Sequence, residues 1–390
     1  MIYTNFGNDP KDDYVVQSRL KGMKSVTEWT GKDENAIFYY DRHDQAIRLI
    51  EFKDFLLDEQ WEYFKTNEES VIIINFADDY INQVDLDRFA NDIKERDVDN
   101  SRVVFVAMDE NFQNFIIEGL KERGVNNIKA EYINILMKRV PPRYTEPKET
   151  THKFSVFSRN YYPWRLSIFL ELLNRGVLEN TNYSFHNYNP YNEDVTFPLS
   201  TVKEHVLQEG YELTPKVGKW INKVPYDLGN KEQKWSNVVY DALESSDIHI
   251  VIESHFDPFL GPNFEWAKKT YNAKNISPGF ITEKVWKAVS CKKPFILAAT
   301  PYILRDFKKL GYKTFDGFID ESYDEIEDDK LRLKALVTEV ERINNLPSEE
   351  YQQLLEGVKE IVNYNHSLYI KQWESVNFSK YPFLHGVVVL

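Results

Sequence analysis

Pro294 to Ala299, PFILAA, is a short run with no charged side chain, and helical spacing flanks it on both sides. A run of strand length between two helices constrains the fold more than any other feature of the chain. Strands joined through helices pair in parallel, because a parallel partner is reached only by a crossover. Before the run, Ile281, Val285, Ala288 and Val289 recur at helical spacing after a Pro278-Gly279 turn. Lys292-Lys293 put positive charge at that helix's C-terminus. After the run, Pro301 suits the first turn of a helix, and Gly311 is placed to end it in a left-handed cap. Lys313 to Phe315 then reads as a further strand. From Ser277 to Phe315 the order is loop, helix, strand, helix, strand, an α/β layer.

The rest of the chain repeats this logic. Strands are expected at Ala36–Tyr40, Val71–Phe76, Val103–Met108 and Ile128–Met137. Helices are expected around Trp61–Phe64, over Val84–Ile93, and from Asp109-Glu110 to Gly124. Such a doubly wound unit binds ligands at the C-terminal ends of its strands. Pro141-Pro142 and the polar run to Thr151 read as a linker. The pattern then restarts with a strand at Lys153–Phe157, a helix from Pro163 to Gly176, and a strand at Ile248–Ile252 ending in Glu253-Ser254-His255. Residues 180–232 are rich in Asn, Tyr and Pro and give no sheet signal. The acidic run from Asp320 to Asp329 reads as a solvated face, followed by helices over Lys330–Asn344 and from Pro347-Ser348 to about Trp373.

At 390 residues the chain is long enough for two domains. No apolar run approaches the roughly 20 residues that cross a bilayer, and the N-terminus lacks a signal peptide's pattern. A single cysteine, Cys291, excludes an internal disulfide framework and reads as packing. Together these features predict a cytoplasmic protein. A net charge of −14 argues against a nucleic-acid coat. The one basic stretch, Lys138-Arg139, Arg143, Lys148 and Lys153, reads as a solvated linker or as a local groove. Neither a His/Cys metal cluster nor an EF-hand loop is present. Asp85-Leu86-Asp87 falls on an expected helix and reads as its surface. The absence of G-x-G-x-x-G after a strand sets a nicotinamide-dependent enzyme aside.

Chemistry concentrates at Thr282-Glu283-Lys284, where a helix begins. A helix N-terminus attracts anions, a lysine adds a full charge for a pyrophosphate, and a glutamate can accept from two ribose hydroxyls. The same residues also serve a purely local purpose, Thr282 capping the helix and Glu283 complementing its dipole.

The run from Phe280 to Phe315 resembles the nucleotide-sugar-binding half of glycosyltransferases related to the α-1,3-fucosyltransferases, which carry an ITEK-type helix start before an apolar strand. It resembles still more a glycosyltransferase-like group of tailed bacteriophages and bacteria, through the Gly311–Phe315 segment and Phe318-Ile-Asp-Glu-Ser-Tyr-Asp324. The likeness covers roughly Phe154 to Ile343 with gaps; the first 150 residues match nothing.

The resemblance implies a GT-B fold: two Rossmann-like α/β domains with a cleft between them and a C-terminal helix crossing back. The expected boundaries are 1–145 for an acceptor domain, 146–350 for a nucleotide-sugar domain and 351–390 for the terminal helix and tail. The implied donor-site residues are Thr282, Glu283 and Lys284, Arg165 with Arg159 as its rival, and Glu253 and His255 at the strand end. His255 stands where that family has other polar residues. Phe280, with Tyr271 and Asn275 in the loop before it, is placed to stack on the base or bond its edge.

The activity expected is transfer of a sugar from a nucleoside-diphosphate sugar to an acceptor hydroxyl, inverting and metal-independent, with no cofactor beyond the donor. The acceptor would be a saccharide or a hydroxymethylated pyrimidine of phage DNA, the latter in the host cytoplasm. An inverting reaction needs a carboxylate base. Asp78, Asp79, Asp109 and Glu110, at expected strand ends, are the candidates, although acids there also cap helices. The alternative is a catalytically silent module that binds sugar or nucleotide on the same fold.

Overall fold

The computed structural model describes residues 2–4, 24–25, 37–41, 56, 58–76, 81, 83–144, 149–189, 192–228, 235–256 and 278–376. They form two compact units. One holds the described residues up to Arg139, with Pro278 and those from Trp373 onward; the other holds Val140 to Phe256 and Gly279 to Gln372.

The first unit is built from β1 (Ile2–Thr4), β2 (Lys24–Ser25), β3 (Ile37–Asp41), α1 (Asp58–Thr66), β4 (Val71–Phe76), α2 (Gln83–Arg96), β5 (Val103–Ala107), α3 (Glu110–Glu122), β6 (Lys129–Tyr132) and the single turn α4 (Ile135–Lys138). Its sheet runs β2-β1-β3-β4-β5-β6 with every pairing parallel. Strands covered on both faces read as continuous apolar runs, which is why VIIINF and VVFVA carry so few polar residues. Ile72, Ile74, Phe76 and Phe105 are fully buried. Phe89 of α2 meets the rings of Phe76 and Phe105 edge-on, at 5.5 Å from each. The strand expected over Ile128–Met137 stops at Tyr132, because the Asn134 side chain accepts from the Met137 backbone N–H at 3.1 Å and starts a helical turn. Asp85 and Asp87 lie on α2 as expected, but only Asp87 is surface, paired with Arg123 at 2.6 Å; Asp85 is buried.

The second unit comprises β7 (His152–Asn160), α5 (Pro163–Asn174), β8 (Thr181–Asn189), β9 (Asn192–Thr196), α6 (Leu199–Gln208), α7 (Pro215–Ile221), α8 (Trp235–Glu244), β10 (Ser246–Ile252), α9 (Glu283–Ser290), β11 (Phe295–Ala298), α10 (Ile303–Lys309), α11 (Asp329–Asn344) and most of α12 (Ser348–Ser375). Its order is β11-β10-β7-β8-β9, with only β8 and β9 antiparallel. Both units are therefore Rossmann-like α/β layers, as the alternation of strands and helices required.

Three expectations fail here for physical reasons. Residues 180–232 do contain sheet, namely β8 and β9. Lys313 to Phe315 is not a strand: Asn365 takes both the N–H and the C=O of Lys313, at 2.9 and 2.8 Å, and Glu321 accepts from the Phe315 N–H at 2.7 Å. Nor is the acidic run a solvated face throughout. Tyr302, the residue before α10, is left-handed and offers no side-chain cap. Asp324 supplies the cap, accepting from the Leu304 N–H at 3.1 Å through its carboxylate and from the Tyr302 N–H at 2.7 Å through its carbonyl. It is accordingly buried.

The basic stretch is spent on packing. Lys138 lies 3.6 Å over the Trp373 ring and donates to its carbonyl. Arg143 pairs with Glu244 at 2.7 Å, and Lys153 donates to the Asn344 carbonyl at 2.8 Å. Lys148 lies outside the described residues. Cys291 is buried at the end of α9. Among the described residues no helix is long and apolar enough to cross a membrane.

Candidate functional site

In the second unit the chain leaves β7 in one direction through β8 and β9, then returns on the other side of β7 through β10 and β11. The reversal leaves a crevice between the carboxyl ends of β7 and β10, where open parallel sheets bind their ligands. Asn160, Arg165, Glu253, Ser254 and the start of α9 meet at those ends.

Glu253 organises the cluster. It follows β10, is fully buried, and accepts from the Thr282 N–H at 2.7 Å, the Thr282 hydroxyl at 2.6 Å and the Ser254 N–H at 3.1 Å. Burial pushes its pKa up, against the pull of Lys284 and the Thr282 hydrogen bonds. Thr282 caps α9. Its hydroxyl donates to Glu253 while accepting from Lys284 Nζ at 2.9 Å. Lys284 Nζ also donates to Ser254 Oγ at 3.0 Å, lies 3.4 Å from Glu283 and 3.7 Å from Glu253, and remains half-buried. The ammonium is thus held over the end of β10 by four oxygens, two from the motif (Thr282, Glu283) and two from the strand end (Glu253, Ser254).

Arg165, near the start of α5, is buried. Its Nη1 donates to the Asn160 carbonyl and its Nη2 to the Glu253 carbonyl, both at 3.0 Å. The guanidinium therefore ties the ends of β7 and β10 together across the crevice. Burial lowers its pKa to about 10, with Tyr162, Glu253 and Glu283 opposing, so it stays charged at neutral pH. Its Nε has no hydrogen-bond partner among the described residues. Arg159, on β7, is exposed. His255 is half-buried with its ring 5.0 Å from that of Phe280, which is itself buried.

The structure thus brings Arg165, Glu253, Thr282, Glu283 and Lys284 into one cluster, with His255 and Phe280 packed beside each other at its edge. Tyr271 and Asn275 lie outside the described residues. So do Asp78 and Asp79. Asp109 caps α3, accepting from the Phe112 N–H at 3.0 Å, and is buried; Glu110 follows it, exposed. Both stand after β5, two strands from β3, whereas the first sheet reverses between β1 and β3. Lys287, one helical turn beyond Glu283 and Lys284, is a residue the sequence reading passed over. Its spacing was the available signal: positions three and four apart share a helix face.

No protein-family model matches the chain. No curated protein matches it either. Among solved structures it is similar to the DNA-modifying enzyme β-glucosyltransferase, at 13% identity over 100% of this chain and 99% of that one, with a TM-score of 0.37. T4 phage β-glucosyltransferase in complex with its UDP-glucose substrate gives 13% identity, 96% and 97% coverage and a TM-score of 0.36. Trehalose-6-phosphate synthase gives 10% identity, 96% and 99% coverage and a TM-score of 0.34. None of the three is a fucosyltransferase, and at these TM-scores the likeness adds nothing to the geometry of the site.

Proposed function

We propose that the chain is a glycosyltransferase of the GT-B type, moving a sugar from a nucleoside-diphosphate sugar to an acceptor hydroxyl. The observation behind this reading is the convergence, at the switch point of a mostly parallel sheet, of a capped helix N-terminus, a lysine held by four oxygens, and a glutamate beside it. Lys284 and the start of α9 face an anion; Glu283 is the ribose acceptor. As the bond from the anomeric carbon to the phosphate oxygen breaks, negative charge grows on the departing nucleotide. A cation already fixed in place stabilises that charge without reorganising. Lysine and arginine do this work in the proposed reaction, with no step assigned to a metal. The acceptor hydroxyl gives its proton to a carboxylate, Asp78, Asp79, Asp109 or Glu110, and a single displacement inverts the anomeric centre.

Thermal unfolding with UDP, GDP, CDP, ADP and dTDP, on the wild type and Lys284→Ala, tests the donor site. A ligand at 100 times its dissociation constant stabilises by about 2.7 kcal/mol. One nucleotide is expected to stabilise the wild type and to lose most of that effect on the variant. If none stabilises the wild type, the glycosyltransferase reading fails. Binding without donor consumption in the presence of saccharide and hydroxymethylated-DNA acceptors marks a silent binding module instead.

A further inference from the structure

Lys284 is the cation that the motif announces, yet the same helix carries a second. Lys287 follows Lys284 by three positions and Glu283 by four, so it neighbours each of them on the surface of α9, with Cβ atoms about 5–6 Å apart. Its electrostatic neighbours are Glu283, Lys284, Glu253 and Arg159. It also acts on His249, three register positions below the end of β10. The helix α9 packs on β10, and the groups that act on Lys287 belong to β7, the end of β10 and α9 itself, while Lys284 reaches Ser254 at the strand end.

The two lysines are used very differently. Lys284 donates to Ser254 and Thr282 and lies within ion-pair reach of two carboxylates. Lys287 is half-buried, and among the described residues its ammonium makes neither a hydrogen bond nor an ion pair. Burial is the main cause that lowers its pKa; Glu283 and Glu253 oppose the shift, and Lys284 and Arg159 reinforce it. The two carboxylates offset only part of this, and a cation partly out of water with two like charges nearby costs stability unless something else repays it. An anion that bridges the three cations would do so.

Resting on the donor-site reading above, we propose that Lys287 is a further donor-binding residue: with Arg159 it takes one phosphate of the donor's pyrophosphate while Lys284 takes the other. Arg165 then acts as a positioning residue, since its two terminal nitrogens already hold the carbonyls of Asn160 and Glu253. The pyrophosphate lies along the face of α9 instead of capping its N-terminus end-on. Two cations of different depth also make the site selective: a nucleoside monophosphate reaches only one of them.

The test is calorimetric titration of the wild type, Lys287→Met, Lys287→Arg and Lys284→Ala with UDP, GDP, CDP, ADP, dTDP and the matching nucleosides. Lys287→Met is expected to weaken the preferred diphosphate at least about tenfold and to leave the nucleoside unchanged. Lys287→Arg should recover most of that loss. The ligand-free melting temperature of Lys287→Met should equal or exceed that of the wild type, because methionine fills the same space without a charge to desolvate. Diphosphate binding by Lys287→Met within twofold of the wild type overturns the proposal. So do equal losses for diphosphate and nucleoside, which mark a structural lysine. If Lys284→Ala abolishes diphosphate binding while Lys287→Met does not, the donor site stands and only the second arm falls. If the wild type binds none of the five diphosphates, both fall.

Discussion

Asp324 shows what burial does to one carboxyl group. It sits beneath α10 in the wall of a cavity of about 690 Å³ that Tyr302, Arg305, Lys308, Asp320 and Glu321 also line. Burial raises its pKa from 3.8 to about 7; Glu321 and Asp306 push the same way, against the Leu304 N–H and Arg332. The folded state therefore binds this proton more tightly than the unfolded chain does. The stabilisation is complete below the unfolded value, falls as pH rises through about 7, and is absent above it. At about 1.4 kcal/mol per pKa unit, a shift of about three units sets a ceiling near 4 kcal/mol. Urea denaturation at pH 5 and pH 8 is expected to show Asp324→Asn losing less stability over that interval than the wild type, by about 1 kcal/mol or more. Equal losses would show that Asp324 does not titrate there. Nothing local announces this role, because a run of acids looks solvated until the fold lays one under a helix. The cap at Thr282 was legible for the opposite reason: its partner Lys284 is two residues away. Glu253 bonds Thr282 across 29 positions, a contact that spacing alone does not reveal.

Between elements, Gly279 sets how closely α9's entry segment meets α10. A Cβ there would fall 2.5 Å from Ile303 Cγ1 and 3.0 Å from its Cα, the latter being backbone that cannot swing aside. The Gly279 N–H also donates to Asp306 at 2.8 Å, which fixes the approach. Gly279→Ala must move one of the two segments, at a cost of about 1–3 kcal/mol for overpacking. Because Thr282 is three residues on, the same displacement should weaken nucleotide binding. Paired urea unfolding and nucleotide titration check both effects; unchanged stability would mean that the contact relaxes freely. The Pro278-Gly279 pair reads as a turn in the sequence, but the close approach that requires glycine does not. Elements with strong periodicity, β4, β5, α11 and α12, were legible nearly to their ends. β8 was not. Its sequence TNYSFHNYN puts Tyr183 and Phe185 against Phe169 of α5, while Asn182, Ser184 and His186 alternate with them. Asparagine-rich alternation resembles a loop, because asparagine is depleted in strands.

For the whole molecule, the acceptor is a question about charge. A DNA substrate requires cations free to neutralise phosphates, and the affinity they give falls steeply with salt. The chain carries a net charge of −14. In the basic stretch, Lys138 is bound to Trp373, Arg143 to Glu244 and Lys153 to the Asn344 carbonyl. The cations of the switch point are those assigned to the donor. A saccharide acceptor asks for none of these charges, and the 24 tyrosines and eight tryptophans supply rings of the kind that stack on sugars. Transfer to a saccharide is therefore expected to outpace transfer to hydroxymethylated DNA, with an acceptor kcat/KM that changes less than about threefold between 50 and 200 mM salt. An enzyme making six to ten phosphate contacts would lose about 10³–10⁵ in DNA affinity over the same range. Rates measured on both acceptors across that interval separate the two cases. A steep decline on DNA, together with the faster rate there at low salt, would assign the acceptor to DNA and place its cationic groove in the first unit.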